Sequence, residues 1–304
     1  MFRKQTDKIP SESLQSRDKP LLTEAERQIF QQHDLQVDAL LSMGAFSRVY
    51  RASCLTSNPN QALAIKVVDM KMPSRFQRRE VEILQSIQHP FIVCLHSVFT
   101  HEQQCFIVTE MAEAGDLLDF LLRHGPIREN RAKKWTKELS QALNYLHARD
   151  IVHRDLKCEN ILLTKQLHVQ LADFGFAKRL TADDELSRGY SETYCGSLAY
   201  AAPEILLRQP YLSKPADLWS LGVILFVLLN ARLPFHGTLR AIRRQQMRRC
   251  YKFRRCIRYR LTAAVRSLVR NLLRPNASRR FTIAEVLNSQ WLNADEAGRS
   301  EASG

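Results

Sequence analysis

Residues 153–163 read His153-Arg154-Asp155-Leu156-Lys157-Cys158-Glu159-Asn160-Ile161-Leu162-Leu163. A loop carrying this many ionisable groups beside an apolar strand pattern is hard to explain by packing. An Asp, a Lys two residues on and an Asn five residues on can converge on one point, where they accept a hydroxyl proton, neutralise a phosphate and ligate a metal. Further along, Asp173-Phe174-Gly175 sets a carboxylate beside a flexible glycine, an arrangement suited to holding Mg²⁺ against phosphate oxygens. Upstream, Ala64-Ile65-Lys66 ends a strand pattern, and Glu80 follows on a helical one. Downstream stands Ala202-Pro203-Glu204. Alone, Lys66 and Glu80 read as solvated surface charges, and a lone Asp-Phe-Gly is common. In this order the set is specific.

Around these pieces the patterning divides the chain. Val37 to Val68 alternates short apolar runs with turn residues such as Ser57-Asn58-Pro59-Asn60, which predicts successive strands. Phe76 to Ile87 has helical spacing, with Val81, Leu84 and Ile87 on one side. A strand over 106–109 then runs into a hinge near Glu110 to Gly115. Helical patterns follow over 117–124, 129–148, 218–230 and 262–273. The expectation is a small strand-rich half joined to a larger helical half. Residues 1–35 read as a flexible extension in which Thr23-Glu24-Ala25-Glu26, before Ile29 and Phe30, can start a short helix. The polar tail 293–304 is expected to fray.

Composition excludes several classes. The 304 residues are 45% hydrophobic and 25% charged, which rules out collagen-like, mucin-like and wholly disordered chains. The longest apolar run, Leu221 to Leu229, is too short to span a bilayer, and the N-terminal residues lead into no apolar stretch, so neither a transmembrane segment nor a signal peptide is expected. Seven cysteines without a Cys-x-x-Cys pair suggest no disulfide framework or zinc site, and a reducing compartment. Cytoplasm is the default, with nuclear entry left open.

The combined set resembles the eukaryotic protein kinase family over about residues 37–292. The resemblance implies an α+β, bilobal kinase fold: a small antiparallel-sheet N-lobe (36–111) with one main helix and a larger helical C-lobe (112–292). It implies ATP and Mg²⁺, with Mn²⁺ as a substitute, and transfer of the γ-phosphate to protein hydroxyls. Lys66 would hold the α- and β-phosphates and pair with Glu80. Asp155 would take the substrate proton, Lys157 would neutralise the γ-phosphate, and Asn160 and Asp173 would hold the metal. Ser42, Gly44, Phe46 and Val49 would cover the nucleotide. Ala64, Thr109 and Leu162 would line the adenine pocket, Glu110 and Ala112 would offer backbone hydrogen bonds, and Asp116 would sit near the ribose.

Lys157 two residues after the Asp, and Ser197, are similar to the serine/threonine branch rather than the tyrosine branch. Asp217 resembles the residue that braces the His-Arg-Asp loop, and Glu204 with Arg280 resembles a buried structural ion pair. The stretches 155–160, 173–178 and 193–204 resemble the testis-specific serine/threonine kinases of the calcium/calmodulin-dependent group, which implies a role in sperm development. Thr193 occupies the family's activation site, with Arg154 and Lys178 as the clamp for its phosphate. Asp116 and Glu159 imply substrates with basic residues upstream of the target.

Two features depart from the pattern. The loop Ser42-Met43-Gly44-Ala45-Phe46-Ser47 keeps only the middle glycine of the usual three, so a catalytically weak scaffold is the alternative to an active enzyme. The run Arg240 to Arg260 holds ten Lys and Arg and no acid. It reads first as a solvated face and second as a docking site for an acidic partner. Tyr251, Phe253 and Tyr259 are expected to be packed rather than to stack on bases, so a nucleic-acid module is the weaker reading.

Overall fold

The computed structural model describes residues 22, 24–43, 47–56, 61–69, 75–181, 190–191, 198–207 and 211–294. The tail expected to fray lies, beyond its first two residues, outside them.

The small lobe is a five-stranded antiparallel sheet in the order β1-β2-β3-β5-β4. Its strands are β1 (Leu35–Met43), β2 (Ser47–Cys54), β3 (Ala62–Asp69), β4 (Leu95–His101) and β5 (Gln104–Glu110). Alternation decides what each face meets. Leu63, Ile65 and Val67 of β3 join Tyr50, Ala52, Phe106 and Val108 in one core cluster, while Ala64 and Lys66 face the other way, into the cleft. Lys66 therefore stands in the middle of β3, not at its end.

The cluster on the outer face is closed by α1 (Glu24–Gln32). Phe30 meets Phe106 edge-on with ring centroids 5.5 Å apart and Tyr50 at 6.3 Å, and Leu22 joins them. The extension expected to be flexible up to residue 35 is thus a docked helix over its last part. The small lobe carries this helix in addition to α2 (Arg75–Ser86). Burial of a side chain such as Phe30 contributes about 1.5–3 kcal/mol, enough to order a nine-residue helix that would be marginal alone.

The large lobe begins with α3 (Leu117–His124), capped by Asp116, whose carboxylate accepts from the Asp119 N–H at 2.8 Å. Next come α4 (Glu129–His147) and four short strands, β6 (Ile151–Val152), β7 (Ile161–Leu163), β8 (Val169–Leu171) and β9 (Lys178–Arg179). These pair β6 with β9 and β7 with β8, which pins the loops between them. Beyond lie β10 (Tyr190–Ser191), α5 (Pro203–Leu206), β11 (Tyr211–Leu212) and α6 (Ser213–Asn230).

Helix α6 starts five residues before the apolar pattern that predicts it. Pro215 is tolerated there because it falls in the first turn, where its missing N–H has no intrahelical acceptor to lose. The helix is buried almost all round, as its apolar run requires. Gly222 lets it pack closely, since a Cβ there would come within 2.6 Å of Leu272. The facing helix is α9 (Ala263–Leu272), preceded by α7 (Leu239–Met247) and α8 (Arg255–Arg258) and followed by α10 (Ile283–Leu287), whose start is a Thr282/Glu285 capping box. Among the described residues no helix is long and apolar enough to cross a membrane. Tyr251 and Phe253 pack on Phe226 as expected, whereas Tyr259 is 77% exposed, contrary to expectation.

Candidate active site

The hinge segment carries the chain from β5 into α3 and is tied to β7 on the way. Ala114 N–H donates to Leu163 O at 2.9 Å, and Leu163 N–H donates to Gly115 O at 2.8 Å. This fixes the floor of a cleft of about 650 Å³ between the lobes, a volume in the range of small-molecule sites. Ser42, Val49 and Ala64 line it from the sheet, and Thr109 and Ala112 line it from the back and hinge. Asp116, Asn160, Leu162 and Asp173 line it from the large lobe, and Lys66 and Glu80 from its depth. Gly44 and Phe46 lie outside the described residues, as do Thr193 and Ser197.

Sequence reasoning left out Val93, Ile107, Met111 and Glu113, which also line the cleft. Met111 and Glu113 sit inside the predicted hinge, and flanking Ala112 is the signal that could have found them. Val93 and Ile107 are apolar residues among many and carried no signal.

Two polar clusters meet at the bottom of the cleft. In the first, Lys66 Nζ donates to Glu80 Oε1 at 2.7 Å and Oε2 at 3.0 Å, and to Asp173 Oδ1 at 3.0 Å. Glu80 is buried rather than solvated, because α2 turns Ile83 and Leu84 into the core on the same side. Burial opposes the charge on Lys66, but Glu80 and Asp173 outweigh it and raise the ammonium pKa to about 12. Burial likewise pushes Asp173 up, yet Lys66 outweighs it and holds that carboxyl below its ordinary value. Burial raises the Glu80 carboxyl, partly offset by Lys66. Gly175 leaves room beside them: a Cβ there would lie 3.3 Å from Asp173 Oδ1, a tight contact, and 3.6 Å from Glu80 Oε2, an ordinary one.

In the second cluster, Asp155 is 3% exposed. Its Oδ2 accepts from Lys157 Nζ at 2.6 Å and from Asn160 Nδ2 at 3.1 Å. Asn160 Nδ2 also donates to the Asp155 carbonyl at 2.9 Å, which turns the other end of its amide, an acceptor oxygen, away from Asp155. The loop is held from below by Asp217 on α6, which accepts the backbone N–H of His153 at 3.0 Å and of Arg154 at 2.9 Å, and His147 Nε2 at 3.0 Å. Arg154 and Asp173 both adopt positive φ, +66° and +60°, a conformation that costs free energy and persists because the surrounding bonds over-determine it.

Other predicted residues are placed with more nuance. Arg154 is buried and its Nε donates to Phe176 O at 2.7 Å, so it ties the catalytic loop to the segment after Asp173-Phe174-Gly175. Lys178 pairs with Val152 across β6 and β9, close by in the same segment. The Glu110 N–H donates to Cys94 O at 3.0 Å, so a hydrogen bond from Glu110 to a base has to come from its carbonyl. Asp116 serves as the cap of α3 besides lining the cleft, and burial raises its carboxyl pKa. Glu204 and Arg280 form the expected pair, Nη1–Oε1 2.7 Å and Nη2–Oε2 3.0 Å.

The donor set fits a nucleotide with a divalent cation. The carboxylates of Glu80 and Asp173, the Asn160 amide and the Lys66 ammonium line one cavity, hard oxygen ligands for the metal and a cation for phosphate, and Asn160 ties the Asp155–Lys157 pair to it.

Comparison with known proteins agrees with this geometry. The family model "Protein kinase domain" matches residues 35–292. Mouse testis-specific serine/threonine-protein kinase 1 is 38% identical over 267 residues, covering 86% of this chain and 72% of the relative. Mouse testis-specific serine/threonine-protein kinase 2 is 37% identical over 259 residues, 83% of this chain and 71% of the relative. Human testis-specific serine/threonine-protein kinase 1 is 36% identical over 265 residues, 85% and 71%. A cleft with paired Lys66, Glu80 and Asp173 above a braced Asp155, in a chain matched over nearly its whole folded part, leads to one conclusion: the chain belongs to the protein kinase family and is a serine/threonine kinase.

Proposed function

We propose that Asp155 is the catalytic base of this kinase, receiving the hydroxyl proton of a substrate serine or threonine as its oxygen attacks the γ-phosphorus of ATP. Lys157, 2.6 Å from Asp155, holds that carboxylate in position and neutralises charge on the transferred group. Lys66 grips the α- and β-phosphates, and Glu80 orients it. Ala112 and the Glu110 carbonyl hold the adenine edge, Ala64 and Leu162 its faces, Thr109 the back of the pocket, and Ser42, Val49 and the residues Gly44 and Phe46 the roof. Asn160 and Asp173 supply oxygen ligands to a divalent cation, Mg²⁺ by preference and Mn²⁺ in its place. Bound there, the cation neutralises phosphate charge and aligns the γ-phosphate for in-line attack.

The observation that carries this reading is the Lys66–Asp173 contact at 3.0 Å, which joins the two lobes with Glu80 buried behind it. The test is transfer of radiolabelled phosphate from ATP to a generic basic protein. Asp155→Asn should lower the rate by about 10²–10⁴-fold with an unchanged circular dichroism spectrum. Parent-like transfer by that variant removes the assignment. Titrating Mg²⁺ and Mn²⁺ into metal-stripped enzyme tests the cation.

The kinase domain spans 36–292, with lobes meeting between residues 111 and 112. Thr193, outside the described residues, is the activation site, and its phosphate is met by Arg154 and Lys178. Substrates carry basic residues upstream of the target, read by Asp116 and Glu159, which face the cleft from the large lobe. By likeness to the mouse and human testis-specific relatives, the enzyme acts in sperm development, and the cytoplasm is its default compartment.

A further inference from the structure

The positive charge of this chain is concentrated in one place. Leu218 to Ala284 holds 16 of the 45 Lys and Arg and none of the 31 Asp and Glu, so the rest of the chain is close to neutral. Helix α7 buries Ile242 and Gln246 and turns Arg240, Arg243 and Arg244 to solvent, with Met247 among them and Arg248 after. Lys252, Arg255, Arg258 and Arg260 continue the exposed surface. Among the described residues, the one ion pair in this stretch is Arg280 with Glu204, and the exposed cations pair with no described carboxylate.

At the end of α7 the surface becomes concave, a groove of about 670 Å³. Leu207, Met247 and Pro275 give it apolar walls, and Arg249, Arg274 and Arg279 stand around it. Met247 is 55% exposed. Arg249 Nη2 donates to Arg270 O at 2.6 Å and Arg274 Nη1 to Arg279 O at 2.8 Å, contacts that fix the guanidinium groups without neutralising them. The acid in the groove, Glu204, is already engaged by Arg280.

Three anionic partners could answer this charge, and the shape separates them. Tyr251 stacks its edge on Phe226 and Phe235 at 5.7 and 5.8 Å, and Phe253 lies 4.6 Å from Phe226, so these rings are not platforms for bases. A bilayer surface is too flat to fill a groove, and a phosphate backbone has no apolar side chain to set on Met247. A polypeptide with several acids around one large apolar residue satisfies both the cations and the groove.

We propose that α7, the basic segment after it and the adjoining groove form a docking surface for an acidic segment of a protein partner, with an apolar side chain of that segment seated on Met247. The surface is joined to the catalytic side: buried Gln246 on α7 donates from Nε2 to Ala201 O at 2.9 Å, directly ahead of Ala202-Pro203-Glu204. A partner docked there sits against the segment that ends in Ala202-Pro203-Glu204.

The test uses the full chain and a labelled glutamate-rich peptide with one central leucine, its leucine-to-glutamate and its all-glutamine versions, a DNA duplex, and phosphatidylserine vesicles. The leucine peptide should bind, the all-glutamine version should not, and the leucine-free version should bind several-fold more weakly. Combined Arg243→Glu, Arg244→Glu and Arg248→Glu should weaken binding at least about tenfold, and Met247→Asp should weaken the leucine peptide alone. Both variants should phosphorylate a short generic peptide like the parent, which checks their folding. Equal binding of the all-glutamine peptide, or no loss on charge reversal, overturns the proposal. Tighter binding of duplex or vesicles at the same ionic strength, lost in the same variant, overturns the choice of a protein partner.

Discussion

The cations of the cleft and the cations at the base of the large lobe are the same chemical groups in opposite circumstances. Lys66, Lys157 and Arg280 each face a carboxylate within 2.6–3.0 Å and are held by it. Arg243, Arg244 and Arg258 stand in solvent and form no ion pair among the described residues. Pairing under burial makes a charge into a positioning device, because its direction is fixed and its ionisation is set by its neighbour. Exposure leaves a charge free to act at a distance, and salt weakens it. One group serves geometry, the other attraction.

The largest effect that separates them is on catalysis. Lys66→Met should lower phosphotransfer by about 10²–10³-fold, because the phosphates lose a cation that Glu80 and Asp173 hold in place. Arg244→Met should leave transfer to a short peptide unchanged. Rates on the same peptide compare the two directly, and an equal loss in both would erase the distinction.

Stability should divide the arginines in the same way. Arg280→Ala strands Glu204 and removes a donor from Pro215 O at 2.6 Å, so it should cost about 3–5 kcal/mol in urea unfolding. Arg258→Ala, on exposed α8, should stay within about 0.5 kcal/mol. A large cost at Arg258 would mean that the base is held by pairs after all.

How much of this was legible before the fold was known follows the same division. The cleft could be read because its residues recur at fixed spacings: Asp155, Lys157 and Asn160 lie in one short loop, and three-dimensional convergence is nearly written into that spacing. Lys66 and Glu80 are legible only by their order relative to that loop, since on their own strand and helix they look like surface charges. Asp217 could be matched to a brace, but its three hydrogen bonds needed the fold. A short helix was legible in Thr23-Glu24-Ala25-Glu26 before Ile29 and Phe30, but its docking was not, because nothing local says that Tyr50 and Phe106 await these two apolar residues. The basic run was visible as composition, but the groove beside it was not, since Leu207, Met247 and Pro275 come from three separate elements.

Acid should act on the brace and not on the base. Burial pushes the Asp217 carboxyl up, but the His147 hydrogen bond and charge outweigh it and hold it below its ordinary value of 3.8. A carboxyl with a depressed pKa contributes stability above its unfolded pKa and loses it as pH falls through the lower folded value. Stability measured below about pH 4 should therefore fall more steeply in the parent than in Asp217→Asn. The cations of the base are exposed, so their signature is salt dependence instead. Identical acid slopes in parent and variant would take the brace out of the account.

The smallest effect tests the roof of the cleft, where the sequence departs most from its family. Ser42 sits on β1 opposite Val49, exposed and lining the cleft, with its Cβ in space that a glycine would leave to phosphate oxygens. Ser42→Gly should lower the Michaelis constant for ATP a few-fold, about 1 kcal/mol of binding, and leave kcat alone, because the residue belongs to β1 and not to the loop that pairs Asp155 with Lys157. The chemistry at the bottom of the cleft is set by the paired charges and is indifferent to how closely the roof descends. A change in kcat of the same size would show that the roof helps to align the γ-phosphate, and the separation between gripping the nucleotide and transferring its phosphate would no longer hold.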